Sequence, residues 1–309
     1  MSLQRLIARS RHAVLTVALF GALPVQAQTP TATPAPAAPT AASILAGATA
    51  ADWRPLEPEN TLYLELATGR VIIELAPVFA PNHAANVKAL VREGYFDGLT
   101  INRVQDNYVA QWGDANEGPA KRVIKTAKAT LPGEFDQAIG PSIPFTPSPD
   151  GDVYAAEVGW SMGFPAARDP KSGRTWLTYC YGTLGTARGN PTDSGGGTQL
   201  FVIIGHSPRH LDRNYTAFGR VVKGIELLST LPRGAGGLGF YDKPEMRAPI
   251  KSVRVAADVP AAERTALQVL RTDTPTFNSL VAARRTRSEA SFQYKVGHIE
   301  VCNVPVPTK

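Results

Sequence analysis

Hydrophobic residues after position 60 fall into short runs of the kind that form β-strands. Residues 61–66 (TLYLEL) and 70–75 (RVIIEL) flank a short turn-like segment that ends at Gly69. This pattern predicts a β-hairpin. Pro81 then opens a stretch with apolar residues at helical spacing, and Gly94 ends it. A helix is therefore predicted between these two residues.

The remaining pattern also favours a β-protein. Residues 115–171 are rich in turn residues and lack a sustained period, which predicts a long loop region, whereas residues 224–231 predict a short helix. Many short strands with two helices favour a closed or nearly closed β-barrel. The other strand-like runs cover residues 100–112, 175–181, 199–204, 216–222 and 251–259.

The last fifty residues have a different character. Residues 261–270 and 277–285 show helical patterns, and residues 298–304 resemble a strand. We therefore expect residues 260–309 to form a small α/β extension that packs on the main domain.

The first residues have the order of a secretory signal. Residues 1–12 are cationic, residues 13–23 are apolar, and Ala27 ends a stretch suited to a signal peptidase. We expect cleavage after Ala27 and a periplasmic or secreted product; the alternative is an uncleaved amphipathic anchor. Residues 28–51 are rich in Ala, Pro and Thr with almost no charge, which predicts a disordered linker.

Composition narrows the class of protein. Hydrophobic residues make up 43% of the 309 residues, enough for a buried core, which excludes a globally disordered chain. The net charge of +6 falls by three if the predicted signal, with its three arginines and no acid, is removed. That charge is too small to indicate a nucleic-acid partner. We expect a monomer that does not stay inserted in a membrane after cleavage.

The two cysteines, Cys180 and Cys302, leave two interpretations open. In an oxidising compartment they can form a disulfide, and otherwise they are two buried thiols. Sequence alone does not show whether their Cα atoms come within bridging distance.

Three apparent motifs lack the context that their chemistry needs. The G-x-S-x-G match around Ser161 is followed at once by Phe164-Pro165, so the helix of a nucleophile elbow cannot start. The G-x-G-x-x-G match at residues 234–239 lacks a preceding strand and a following helix. His206 and His210 are separated by a proline. We expect no metal and no cofactor.

One pair of polar residues carries candidate chemistry. Arg103 and Gln111 are eight residues apart in an extended region. They would share a face of an unbroken strand, and an intervening turn would bring them closer. The alternative is a surface arginine that merely stacks on Tyr108.

Three ordered segments resemble the cyclophilin family of peptidyl-prolyl cis-trans isomerases. They are FDGLTINRV with YVAQWGD at residues 96–114, GTQLFVI at 197–203, and HLDRNYTAFGRV at 210–221. The resemblance covers residues 61–259, with a longer insertion at about residues 115–175 than compact members have. It implies a mainly β domain over residues 52–259: a closed eight-stranded antiparallel barrel, capped by two helices, with the substrate groove on its outer face.

The resemblance also implies roles for individual residues. Arg103 matches the family's catalytic arginine, and Gln111 matches the glutamine that binds substrate and holds that arginine. His210 replaces the family's tryptophan, which argues against tight cyclosporin binding. The cup that holds the proline ring is matched by Tyr108, Val109, Phe201 and Leu211, with Tyr215 at its rim. The positions that contact the substrate backbone and the residues before proline are matched by Ala187, Arg188 and Gln199. The alternative for Phe201 and Leu211 is that they belong to the barrel core.

The implied chemistry suits these residues. An Xaa-Pro amide rotates over a barrier of about 18–20 kcal/mol, and a catalyst must bind the twisted amide better than either planar isomer. A fixed, permanently charged guanidinium can donate to the prolyl nitrogen of the twisted form. We expect an exported, cofactor-free isomerase that acts on proline-containing polypeptides during folding. The alternatives are a catalytically weak peptide-binding module or chaperone, and a serine hydrolase that uses Ser161.

Overall fold

The computed structural model describes residues 38–116 and 118–309. The predicted signal and residues 28–37 of the predicted linker lie outside the described residues. The helices are α1 (Ala41–Ala46), α2 (Pro81–Arg92), α3 (Glu226–Ser229) and α4 (Pro275–Thr286). The strands are β1 (Trp53–Pro55), β2 (Thr61–Leu66), β3 (Gly69–Leu75), β4 (Thr100–Val104), β5 (Val109–Gly113), β6 (Gln137–Ala138), β7 (Thr146–Pro147), β8 (Glu157–Ser161), β9 (Phe164–Asp169), β10 (Arg174–Leu177), β11 (Thr183–Thr186), β12 (Gln199–Ile203), β13 (Ala217–Lys223), β14 (Ala248–Val255) and β15 (Gln268–Leu270).

Eight of these strands close into a barrel. Their order is β11-β12-β5-β4-β14-β2-β3-β13, and β13 pairs back onto β11. Every pairing between neighbours is antiparallel. The predicted eight-stranded antiparallel barrel is therefore confirmed. Its interior is filled by apolar side chains from all eight strands, among them Leu64, Val71, Ile101, Trp112, Leu184, Val202, Phe218 and Val253.

Helix α2 packs against the barrel as its pattern predicts. Val87, Leu90 and Val91 are buried on one face and belong to the barrel core. Pro81 occupies the first turn, where its missing N–H costs no hydrogen bond. The predicted helix over residues 224–231 is shorter than expected, since α3 spans four residues and buries Leu228. Among the described residues, no helix is long and apolar enough to cross a membrane.

The start of α2 is capped by a residue from a distant part of the chain. Ala80 precedes the helix and provides no side-chain cap. Glu134 supplies the acceptors instead: its Oε1 accepts from the N–H of Asn82 at 3.1 Å and its Oε2 from the N–H of His83 at 2.8 Å. Burial alone raises the pKa of Glu134, but hydrogen bonds from the His83 side chain and from these backbone groups bring the pKa below its ordinary value. The carboxylate therefore stabilises the helix start.

We predict that Glu134→Gln lowers the free energy of unfolding by about 1 kcal/mol at neutral pH, because glutamine keeps one acceptor and loses the charge. The lowered pKa means that the charged form's contribution is present above the unfolded pKa, about 4.3, and is lost as pH falls through the folded pKa. Urea unfolding of both proteins between pH 7 and pH 3 measures the difference. A difference that stays constant across this range would contradict the role of charge.

The region predicted as a long loop contains a second sheet. Its strand order is β6-β10-β9-β8-β7, all antiparallel. The prediction of a loop over residues 115–171 was therefore wrong where β6, β7, β8 and β9 lie, while the segments between these strands are loops and turns. Gly159 and Pro165 suggest turns in the sequence, yet both lie within paired strands, with Pro165 opposite Trp160. Local turn propensity was overridden by pairing between strands.

Residues 41–55 and 268–306 join this sheet around a second hydrophobic core. Trp53 of β1, Trp160 of β8 and Phe277 of α4 are buried together. We call this unit, formed by β6–β10, β1, β15, α1 and α4, the second lobe. Helix α1 packs its residues Ile44 and Leu45 against the same core, so the prediction of a disordered linker was wrong for residues 41–51. The hydrophobic residues of that segment pack against the second core, and the composition of the segment itself does not indicate this contact.

The predictions for the last fifty residues are correct only in part. The helix predicted over residues 277–285 is confirmed by α4. The prediction of a helix over residues 261–270 was wrong, because residues 268–270 form β15. This strand pairs with β1, which lies more than two hundred residues earlier in the sequence. The strand over residues 298–304 was also wrong, since a short turn at Val301–Asn303 lies there. For β15, pairing with a distant strand decides the backbone conformation.

A disulfide joins two segments of the second lobe. Cys180 follows strand β10, and Cys302 lies in the C-terminal turn, 122 residues later. Their Cα atoms are 5.1 Å apart, within the usual bridging range. Of the two interpretations that the sequence leaves open, the structure has the bridged form.

Candidate functional site

Two neighbouring barrel strands bring Arg103 and Gln111 together. Strands β4 and β5 are antiparallel, and their register places Arg103 directly opposite Gln111. The turn between the strands includes Asn107, whose φ of 49° lies in the left-handed region that asparagine tolerates. The Arg103 Nη1 donates to Gln111 Oε1 at 3.0 Å. The two residues are thus an interacting pair on the barrel surface.

The guanidinium of Arg103 is held at all three of its nitrogens. Besides the bond to Gln111, its Nη2 donates to Gln105 Oε1 and its Nε donates to the carbonyl oxygen of Leu238 at 2.7 Å. These three bonds use three of its five N–H donors. The other two donors have no hydrogen-bond partner among the described residues.

Aromatic rings flank the same guanidinium. Its Cζ lies 5.8 Å from the ring centre of Tyr108 and 5.4 Å from that of Phe240, within the range of cation–π attraction. Burial lowers the pKa of Arg103, while Tyr108 and Tyr215 act in the opposite direction. Arginine stays protonated at neutral pH even with such a shift, so the site keeps a fixed positive charge.

A chain of amides extends from Arg103 along the barrel. Gln111 Nε2 lies 3.4 Å from Gln199 Oε1, and Gln199 Nε2 donates to the carbonyl oxygen of Asp114 at 2.5 Å. Gln199 is at the start of β12, which pairs with β5. The orientation of each amide is therefore set by its neighbour, and the orientation of Gln111 sets that of Arg103.

An apolar cup lies beside the arginine on the outer face of the barrel. Successive side chains of β12 point to opposite faces of the sheet. Leu200 and Val202 enter the barrel core, whereas Phe201 belongs to a separate cluster. That cluster contains Val109 and Leu211, with Tyr108, Ala187 and Tyr215 at its partly buried edge. Phe201 and Leu211 therefore lie outside the barrel interior, contrary to the alternative that they are barrel core.

The floor and rim of this cup are aromatic. The ring of Phe201 stacks on Tyr179 with centroids 5.8 Å apart, and Tyr215 meets its edge at 6.1 Å. The exposed imidazole of His210 lies nearly parallel to the Tyr108 ring at 6.4 Å. The cluster beside Arg103 is therefore apolar, with aromatic rings at its partly buried edge.

Arg188 and Ala187 lie on the far side of the cup. Arg188 Nε donates to the carbonyl oxygen of Asn214 at 3.0 Å, and its Cζ lies 4.7 Å from the Tyr215 ring. Its Nη1 donates to backbone carbonyls of Gly189 and Asn190. The structure thus brings the predicted residues into two connected sets, the polar series Arg103, Gln111 and Gln199, and the cluster that contains Val109, Phe201 and Leu211.

The sequence reasoning missed three residues around Arg103. Gln105 lies two residues along from Arg103, on the same side of an extended segment, and this spacing could have indicated it. Leu238 and Phe240 follow Arg103 by more than a hundred residues, and no local signal connects them.

Ser161 does not have the surroundings of a nucleophile. It ends β8, and its hydroxyl is buried without a hydrogen-bond partner among the described residues. Residues 162 and 163 form the turn of the β8–β9 hairpin, so no helix follows the serine. The hydrolase alternative therefore has no support in the structure.

Comparisons with known proteins find matches over the barrel and beyond it. The family described as cyclophilin type peptidyl-prolyl cis-trans isomerase/CLD matches residues 61–255. A probable peptidyl-prolyl cis-trans isomerase of Brucella suis is 31% identical over 179 residues, which cover 58% of this chain and 74% of the relative. Peptidyl-prolyl cis-trans isomerase B of Bacillus subtilis is 27% identical over 177 residues, 57% of this chain and 92% of that protein.

A solved structure is similar over a longer stretch. The crystal structure of cyclophilin AquaCyp293 from Hirschia baltica superimposes with a TM-score of 0.67 at 28% identity. The match covers 87% of this chain and 96% of that one. It therefore extends beyond the barrel into the second lobe.

Proposed function

The chain belongs to the cyclophilin family and is a peptidyl-prolyl cis-trans isomerase, and we propose that it accelerates rotation about Xaa-Pro bonds through Arg103 during the folding of exported proteins. The observation that carries this mechanism is the Arg103–Gln111 pair, bonded at 3.0 Å beside the apolar cup.

The proposed mechanism uses the two N–H donors that Arg103 has left. A proline ring sits in the cup formed by Val109, Phe201 and Leu211, which holds one side of the amide. As the amide twists, its nitrogen becomes pyramidal and regains a lone pair, and the guanidinium donates to it. Gln111 and Gln199 bind the substrate backbone and keep the guanidinium in place. Only the twisted amide accepts this bond, so the interaction lowers the barrier rather than merely binding substrate.

Exchange between the cis and trans forms of an Ala-Pro peptide tests the proposal. We expect catalytic amounts of the protein to raise the exchange rate measured by NMR, since uncatalysed isomerisation takes roughly 10–100 s. Resonance shifts of the peptide report binding in the same samples. Binding without faster exchange would contradict catalysis and favour the peptide-binding module instead.

We also propose that the protein is exported and acts on flexible, proline-containing polypeptides as a monomer. The order of residues 1–27 supports export, and so does the Cys180–Cys302 bridge, because disulfides persist in oxidising compartments. Fractionation of the host cells with mass spectrometry of the mature protein tests this. A product that begins at Gln28 in the periplasm or medium would support export, and an intact cytosolic chain would contradict it.

A further inference from the structure

The connection between α3 and β14 runs beside Arg103. Its glycine-rich segment, residues 234–240 (GAGGLGF), contains four glycines. Strand β14 pairs with only the first residues of β4, Thr100 and Ile101. Along the rest of β4, the glycine-rich segment replaces β14 as the neighbour. The N–H of Gly234 donates to the carbonyl oxygen of Val104 at 2.9 Å, and Phe240 forms an antiparallel bridge with Arg103.

Glycine is required for this close approach. A Cβ on Gly239, whose φ is +82°, would lie 2.6 Å from the Cα of Gln105. A Cβ on Gly234 would lie 2.1 Å from the carbonyl oxygen of Gly239. The same spacing of glycines that resembles a nucleotide-binding motif in the sequence therefore serves to lay one backbone against another.

Leu238 is held in an unfavourable conformation at the centre of the segment. Its φ of 58° and ψ of 15° lie in the left-handed region, which is unfavourable for a residue with a Cβ. Its side chain is 69% exposed, so side-chain packing does not account for the strain. The conformation does direct the Leu238 carbonyl at Arg103 Nε, 2.7 Å away. Strained residues of this kind occur where the surrounding structure over-determines them, often at functional sites.

We infer that the glycine-rich segment is a positioning element for Arg103, with the Leu238 carbonyl as its contact. This inference rests on the proposed catalytic role of Arg103. Gln111 and Gln105 hold the two terminal nitrogens, whereas Leu238 fixes Nε, where the planar group joins its flexible stem. With that bond in place, the two remaining donors keep one direction relative to the cup. Phe240 covers a face of the guanidinium and limits its tilt.

Two substitutions at the same exposed position separate the carbonyl from the side chain. Leu238→Pro forces φ to about −65° and turns the carbonyl away, whereas Leu238→Asn removes the leucine side chain but tolerates the left-handed conformation. We expect Leu238→Pro to lower kcat by about tenfold or more, because small misplacements of a reacting group are costly. Peptide affinity should change by less than about twofold, since the cup is untouched. Leu238→Asn should match the parent protein in both.

The Nε–Hε proton of Arg103 gives a readout that does not depend on turnover. Its NMR signal, identified by its absence from Arg103→Ala, should exchange slowly with water in the parent and in Leu238→Asn. Leu238→Pro should lose this protection. If Leu238→Pro proves unfolded by circular dichroism, Gly239→Ala replaces it, since its Cβ also displaces the segment from β4.

The outcomes separate this inference from the proposed function. Parent-like kcat with a deprotected Arg103 proton would overturn the positioning role, as would an equal loss of kcat in Leu238→Pro and Leu238→Asn. If Arg103→Ala itself retains full activity, the proposed mechanism fails, and the positioning role fails with it. A loss of kcat in Arg103→Ala and Leu238→Pro, but not in Leu238→Asn, supports both.

Discussion

Replacing Arg103 by alanine should lower kcat/KM for an Xaa-Pro peptide by at least about tenfold, and up to several hundredfold, if its hydrogen bond forms only with the twisted amide. The loss should appear mainly in kcat, because the apolar cup that binds the proline ring remains. NMR exchange measurements at several peptide concentrations, with parent and variant side by side, separate kcat from KM.

Two further arginine variants make this test specific. Arg103→Lys keeps the charge but loses the planar fork that bonds to Gln111, Gln105 and Leu238, so most of the activity should still be lost. Arg168→Ala is the matched control: this arginine of β9 is also partly exposed and forms an ion pair with Glu157 in the second lobe. It should retain parental kcat/KM. Full activity in folded Arg103→Ala would refute the mechanism.

Replacing both cysteines by serine should lower the free energy of unfolding by about 3–5 kcal/mol. The bridge spans 122 residues, and closing so long a loop restricts the unfolded chain strongly. It also joins the C-terminal turn to the segment that precedes β11, so we expect the second lobe to lose more stability than the barrel. Urea unfolding followed by tryptophan fluorescence measures the effect, since Trp53, Trp160 and Trp176 all lie in the core of that lobe.

The reducing agent itself provides the control. Dithiothreitol should shift the parent's midpoint to that of the double serine variant and should leave the variant unchanged. Equal midpoints for the oxidised parent and the double serine variant would show that the bridge contributes nothing to stability.

Local sequence patterns indicated most strands of the barrel, but β11 was not among the predicted runs, and the run predicted at residues 175–181 contains β10 of the second sheet. Strands such as β2, β3 and β12 bury continuous apolar runs, and α2 has its apolar residues at helical spacing between Pro81 and Gly94. These elements are visible within their own residues, whereas the closure by eight strands was implied by the family resemblance. The assignment of Arg103 and Gln111 came from the family resemblance, because spacing alone left open a surface arginine stacked on Tyr108.

The second lobe could not be predicted in this way. Its core joins Trp53, Trp160 and Phe277, which lie far apart in the chain, and several of its strands contain glycine or proline. The conformation of α1 and β15 is set by partners that are more than two hundred residues away. The pattern of residues within a short stretch of sequence contains no information about such distant contacts.

The sequence by itself therefore indicated a β-rich domain through hydrophobic periodicity and the family through contiguous motifs, because both signals are local. The closed barrel and the residues expected at the site followed from the family resemblance. Only the tertiary structure decided that the insertion, residues 41–55 and the C-terminal segment form one lobe, and that Leu238 and Phe240 flank Arg103. The physical reason is that strand pairing and hydrogen bonding depend on distance in space, and folding brings together groups separated by more than a hundred residues.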